Sequence, residues 1–181
     1  GCSDISFSLF PGEVLGIVGE SGSGKSTVLN CLSGQLVPDA GKVLFNSPSR
    51  GKVDIWNLSE AEQRYLSRTE WAYVHQNPRD GLRMGVSAGG NIGERMMNIG
   101  HRHYGSIRQT AIEWMGRVEL SDTRIDHHPS TFSGGMQQRL QIARSLVTAP
   151  RMIFMDEPTG GLDVSVQARL LDLIRQLVQE L

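Results

Sequence analysis

The spacing of apolar and polar residues changes period several times along this chain, and those changes predict its elements. Ile5, Phe7 and Leu9 alternate with Ser6 and Ser8, which predicts a half-buried strand over residues 3–10. Pro11-Gly12 marks a turn. The apolar run Val14-Leu15-Gly16-Ile17-Val18 predicts a short buried strand, and Thr27–Leu32 the start of a helix ending near Gly34. Lys42–Phe45 reads as a strand, 46–51 as a loop and Val53-Asp54-Ile55 as the returning strand. Ser59 and Glu62 have capping-box spacing, so a helix is expected over 60–68. Trp71–His75, aromatic and β-branched, predicts a strand that delivers Gln76 at its end.

The texture changes from Asn77 to Phe132. Glycines break the pattern, methionines and basic residues accumulate, and Ile107, Ala111, Trp114, Met115 and Val118 keep helical spacing. This predicts a mainly helical insertion, closed by Pro129-Ser130-Thr131, between two halves of an α/β core. A further helix follows, with Met136, Leu140, Ala143 and Val147 on one face. Arg151–Glu157 is an apolar strand ending in two carboxylates and broken by Pro158. Thr159–Asp163 reads as a loop. Leu170, Leu171, Ile174, Leu177, Val178 and Leu181 mark the face of a last helix.

The chemistry starts at Gly19-Glu20-Ser21-Gly22-Ser23-Gly24-Lys25-Ser26-Thr27, which fits G-x-x-x-x-G-K-[ST] between a predicted strand and a predicted helix. Glycines let successive backbone N–H groups turn around a phosphate without Cβ clashes. The helix N-terminus adds unpaired donors and a positive dipole end. Lys25 is expected to reach the β- and γ-phosphates of a nucleoside triphosphate, and the Ser26 hydroxyl to meet Mg²⁺. Asp156, at a strand end, is the second expected Mg²⁺ contact, direct or through water. Glu157 beside it is placed to act as general base on an attacking water. Gln76, at another strand end, can touch the metal or orient that water. Ser133 heads a helix with Gly134 and Gly135 behind it, a second anion-binding helix end. Two such ends in one chain suit a head-to-tail dimer, in which each chain's second helix end closes over its partner's nucleotide.

Bulk properties narrow the setting. A net charge of −1 gives no global basic field for a nucleic-acid partner. Two cysteines, Cys2 and Cys31, are too few for a disulfide framework and suit a reducing, cytoplasmic compartment. No apolar run approaches the ~20 residues that span a bilayer. The chain begins Gly1-Cys2-Ser3 with a strand already under way and stops at Leu181 inside a helical pattern, so a fragment of a longer protein is expected.

In order along the chain, Gly19–Thr27, Gln76, Phe132–Arg139, Met152–Glu157 and Gly161–Asp163 resemble the Walker A, Q-loop, signature, Walker B and D-loop motifs of ABC-type ATPases. The resemblance implies a P-loop NTPase fold of the α/β class. An α/β core with an antiparallel β subdomain would take residues 1–76 and 148–181, and a helical subdomain including the signature helix residues 77–147. It implies ATP and Mg²⁺ as ligands, and an ATP sandwich dimer with itself or a sister ABC subunit. In that dimer Ser133, Gly134 and Gly135 would act in trans and Asp163 would link the two sites. The segments 74–78, 80–83, 86–95, 102–105, 132–139 and 160–165 are similar to the ABC-type subunits of bacterial carbon–phosphorus lyase systems for phosphonate use. That similarity implies an ATP hydrolase docked on a lyase core complex. The alternatives are an importer ATPase of the dipeptide and oligopeptide class, working on a membrane permease, and a non-catalytic ATP-gated scaffold.

Some positions depart from the family pattern. Met136 stands where Gln is commonest in the signature, and Gly160-Gly161 where Ser-Ala is common. An adenine-stacking aromatic and a switch histidine would lie upstream and downstream of this stretch. The stretch alone is therefore expected to bind ATP poorly and hydrolyse it very slowly. Arg79, Arg83, Arg95 and Arg102 stand where ABC proteins usually meet partners, as a partner contact or as a plain solvated face.

Overall fold

A computed structural model of the chain describes residues 2–160 and 164–179. Gly161, Leu162, Asp163 and Leu181, and the side chain of Val178, lie outside what is described.

Helix α1 (Lys25–Leu32) starts on Gly24 in the left-handed region and ends at Ser33, before Gly34 at φ 77°. Strands β1 (Leu44–Ser47) and β2 (Gly51–Asp54) form an antiparallel hairpin with Phe45 opposite Val53. The first strand thus runs two residues beyond the expected 42–45 segment. Ser47 accounts for the shift. It is buried at the end of the ladder, where its hydroxyl donates to the Glu70 carboxylate at 2.8 Å. Asp54 then caps a 3-10 turn, Ile55–Asn57, by accepting from the Trp56 N–H.

Helix α2 (Glu60–Thr69) carries both halves of the expected capping box. Ser59 Oγ accepts from the Glu62 N–H, and the Glu62 carboxylate accepts from the Ser59 N–H at 2.8 Å. The Ser59 hydroxyl, with Arg50 behind it, holds the Glu62 carboxyl below the usual carboxylate range. Ser59→Ala is expected to cost about 1 kcal/mol. The urea midpoint should fall with the slope unchanged.

Strands β3 (Trp71–Val74) and β4 (Met152–Met155) pair in parallel, Trp71 opposite Met152 and Val74 opposite Met155. Between them in sequence come α3 (Pro78–Gly81), α4 (Ala88–Asn98), α5 (Tyr104–Arg117) and α6 (Gly134–Leu146). Side chains of Asn77, Ser87, His103 and Ser133 cap all four at their N-termini. Helix α7 (Val164–Gln179) closes the described chain.

Among the described residues, apolar side chains gather into two clusters. The larger joins α4, α5 and α6 with Leu170, Ile174 and Leu177 of α7. It takes in Ala111, Trp114, Met115 and Val118 of the predicted helical face, and the Met136, Leu140, Ala143 and Val147 face of α6. Leu171, expected on the buried face of α7, is 44% exposed instead. The smaller cluster centres on Trp71, whose ring meets Phe45 and Phe154 edge-on at 5.3 and 5.6 Å.

The expected strands over 3–10 and 14–18 do not form. Val14 and Val18 are 79% and 92% exposed, and among the described residues neither segment has a ladder partner. An apolar run becomes a buried strand only when a neighbour satisfies its backbone and layers cover its faces. The described residues bring neither alongside.

Candidate active site

Asp156, following the C-terminal end of β4, meets the first turn of α1, and Gln76, beyond the end of the parallel strand β3, meets Glu157. Ligands bind at such strand ends in open α/β sheets. The shape of the loop that opens α1 is written in its glycines. Gly22 and Gly24 have φ 82° and 97°, in the region other residues enter at a cost. At Gly19 a Cβ would sit 2.8 Å from Ser23 Oγ. The chain therefore turns tightly through Glu20, Ser21, Gly22 and Ser23 and enters α1 at Lys25, with Thr27 one residue behind Ser26 in its first turn. The first-turn N–H groups of α1 have no intrahelical partners, which makes this end a donor cluster for an anion. The Lys25 ammonium donates to the Gly19 and Glu20 carbonyls at 3.0 and 2.8 Å, so the cation reaches back across the loop.

Register places the carboxylates. The Asp156 N–H donates to Val74 O at 3.0 Å, continuing the β3–β4 ladder one step past Met155. This brings Asp156 to α1: Ser26 Oγ donates to Asp156 Oδ1 at 3.1 Å, across 130 residues of sequence. Tyr73 fastens α1 to β3 as well, its hydroxyl donating to Asn30 Oδ1 at 3.1 Å; burial pushes the phenol's pKa up. One residue on, Glu157 holds φ 39°, left-handed without being glycine, and its carbonyl accepts from the Gly160 N–H at 2.8 Å. The Gln76 amide donates to Glu157 Oε2 at 2.8 Å. His75, just before it, is half-buried, and that burial pushes its imidazole toward the neutral form.

Ser26 and Asp156 are hard oxygen donors, the kind Mg²⁺ takes. Among the described residues no group of three His, Cys, Asp or Glu could hold a metal by itself. Mg²⁺ keeps several waters and binds through one or two protein oxygens plus substrate phosphates, so this donor set fits it.

Ser133, Gly134 and Gly135 lie elsewhere. Ser133 Oγ accepts from the Met136 N–H at 3.3 Å, and Gly134 opens α6. Among the described residues no hydrogen bond joins Ser133–Gly135 to Gly19–Thr27. Gly134 instead lines a cleft of about 400 Å³ with Gln76, Arg79, Phe132, Gln138 and Gly160. Asp163 lies outside the described residues.

The four arginines divide. Arg95 is buried and donates to the Trp71 and Ser67 carbonyls at 2.7 and 3.2 Å, pinning α4 to the α2–β3 junction. Arg102 donates to the Met97 and His101 carbonyls, closing the end of α4. Arg95 is therefore not a solvated contact residue, whereas Arg102 stays exposed. Arg83 pairs with Glu94, whose other oxygen takes Arg144 of α6. Arg79 stays exposed at the cleft. Two side chains that the sequence does not single out organise this region. Asn91 is fully buried and holds the 83–87 loop through bonds to Arg83, Val86 and Ser87. Gln141 bonds the backbone of His75 on both sides. The available signal is a polar residue on a helix face otherwise filled with core residues, since such groups are kept only when bonded.

Residues 2–160 match the family model described as "ABC transporter". Over all 181 residues the chain is 64% identical to the "Putative phosphonates utilization ATP-binding protein PhnK" of Escherichia coli (strain K12), covering 70% of that protein. It is 36% identical over 178 residues to the dipeptide transport ATP-binding protein DppD of the same organism, and spans 54% of that protein's length. Among solved structures, a dimeric bacterial ABC transporter cassette, MJ0796, superposes with a TM-score of 0.84 at 30% identity, over 96% of this chain and 73% of that one. The same cassette dimer in a post-hydrolysis state bound to ADP and Pi gives 0.83. With its glycine-shaped anion loop, its Ser26–Asp156 oxygen pair and these relatives, the chain belongs to the ABC transporter family, as an ABC ATPase domain.

Proposed function

We propose that this domain binds ATP with Mg²⁺ at the Gly19–Thr27 loop and hydrolyses it as half of a head-to-tail dimer, serving a carbon–phosphorus lyase complex in phosphonate metabolism. The contact between Ser26 and Asp156 carries the nucleotide reading, because it joins the phosphate loop to the acidic strand end. In this reading the loop N–H groups and Lys25 hold the triphosphate, and Ser26, Asp156 and Gln76 supply the metal's protein side. The metal neutralises charge on the phosphates. Glu157 accepts the proton of the attacking water while Gln76 holds its carboxylate in place. Ser133, Gly134 and Gly135 close over a partner's nucleotide, and Asp163 links the two sites. This stretch alone turns ATP over very slowly.

The dimer reading draws support from the dimeric cassettes, and the phosphonate setting from the 64% identity to PhnK. No described helix is long and apolar enough to cross a membrane, which suits a cytoplasmic subunit working on a soluble complex. The lobe formed by α3, α4 and α5 is the proposed partner side, with residues 77–147 as the helical subdomain and 1–76 with 148–181 as the core. A pull-down with the full-length protein tests the assignment. Recovery of lyase subunits is expected. Recovery of permease subunits without lyase subunits would put the domain in a peptide-type importer, the direction in which the 36% identity to DppD points.

A further inference from the structure

The β3–β4 sheet has a second edge, and α6 occupies it. In a strand, residues two apart turn their backbone groups toward the same side. Val74 turns its carbonyl toward β4, accepting from Asp156. Tyr73 and His75 turn theirs the other way, where no strand lies among the described residues. Helix α6 meets them with side chains instead. Gln141 Oε1 accepts from the His75 N–H at 2.9 Å, and Gln141 Nε2 donates to the His75 carbonyl at 2.9 Å. One turn on, Ser145 Oγ donates to the Tyr73 carbonyl at 3.3 Å. The His75 N–H and carbonyl fix which way round the amide sits, and Gln138 Oε1, one turn back, also accepts from Gln141 Nε2 at 3.3 Å. Gln138, Gln141 and Ser145 are 2%, 1% and 3% exposed, so these bonds are made out of water. The Gln141 amide thus stands in for one residue of a neighbouring strand.

The next residue after this clamp is Gln76, whose amide holds Glu157 Oε2 at 2.8 Å. Gln141 thus holds the peptide units on both sides of His75, and fixing the second fixes the direction in which Gln76 leaves it. Space for the clamp is reserved by a glycine. A Cβ on Gly81 would lie 2.0 Å from Gln141 Oε1.

We propose that Gln141 is a positioning residue for the hydrolytic step, clamping the His75 peptide so that Gln76 holds the Glu157 carboxylate, and thereby tying the site to the helix that Ser133 and Gly134 open. This deepens the hydrolysis reading above and rests on it. Gln141 touches no substrate. It acts through Gln76, so its effect belongs to turnover and not to ATP binding. A displacement of α6 would be transmitted to Gln76 through this amide.

A double-mutant cycle on the full-length protein tests it, with phosphate release and ATP binding measured separately. Gln141→Leu keeps the volume and removes both bonds. It should lower kcat about tenfold, within the coupling range of residues sharing one hydrogen-bond network, and leave the Kd for ATP within about twofold. On a Gln76→Ala background the same change should alter kcat by less than about twofold. Gly81→Ala, which pushes the amide off His75 without removing any polar group, should reproduce the loss and the non-additivity. It stands in for Gln141→Leu if that variant does not fold. Unchanged kcat in both variants, or losses that multiply fully with Gln76→Ala, overturns the proposal. Glu157→Gln run in parallel separates the two levels. If it abolishes turnover while the clamp variants are silent, the clamp alone is wrong; if it turns over like the parent, the hydrolysis reading fails and the clamp proposal with it.

Discussion

Full-length protein carrying Glu157→Gln should bind ATP with parental affinity and release phosphate about 10²–10⁴-fold more slowly, the usual worth of a positioned general base. The substitution keeps the side chain's shape and its acceptor for the Gln76 amide, which now sits 2.8 Å from Glu157 Oε2. It removes the negative charge and with it the capacity to take up a proton. Asp156, which meets Ser26 at 3.1 Å, is untouched, so Mg²⁺-dependent binding should persist. ATP titration of the variant together with a phosphate-release assay reads both halves. Equal turnover in parent and variant would remove Glu157 from the reaction. A lost affinity would instead make it part of the binding site.

Lys25→Ala should show the opposite split, with binding itself failing. The ammonium spans the loop to the Gly19 and Glu20 carbonyls, so its reach covers the concavity in which phosphate would sit. Hydrogen bonds to charged groups contribute about 1.5–3 kcal/mol each. Losing one such contact weakens ATP binding by about 10- to 100-fold, more if two phosphates are contacted. Because the charge also fills a turn built on Gly22 and Gly24, Lys25→Arg is not a neutral control: a planar fork cannot follow the same path. Equilibrium binding of a fluorescent ATP analogue checks the prediction, and affinity equal to the parent's would refute it.

Parts of the site are legible from the sequence because their geometry is local. The anion loop needs particular backbone angles at consecutive residues, and glycine is the letter for those angles. Asp156 and Glu157 end an apolar strand, and a strand's end is visible where Pro158 stops it. Parallel pairing then carries Asp156 to Ser26, a distance of 130 residues that no local pattern encodes. Gln141 stays hidden for a different reason. Its partner is a peptide group 66 residues away, and peptide groups carry no letter of their own. Arg95 misleads because arginine is usually solvated; here the Ser67 and Trp71 carbonyls make a buried seat for it. The segments 3–10 and 14–18 show the limit of periodicity. Alternation says which face of a strand is apolar, and it is silent on whether another strand lies beside it.

The left-handed backbone at Glu157 has a consequence for anyone evolving this domain. A non-glycine residue held at φ 39° costs about 1–3 kcal/mol, which the surrounding fold has to absorb. Glycine or asparagine at that position would relieve the cost. A screen that rewards heat resistance alone should therefore enrich Glu157→Gly and Glu157→Asn, and every such winner would still bind ATP but release phosphate far more slowly. Thermal robustness and turnover are opposed at this one position, so a library meant to improve both must keep residue 157 fixed.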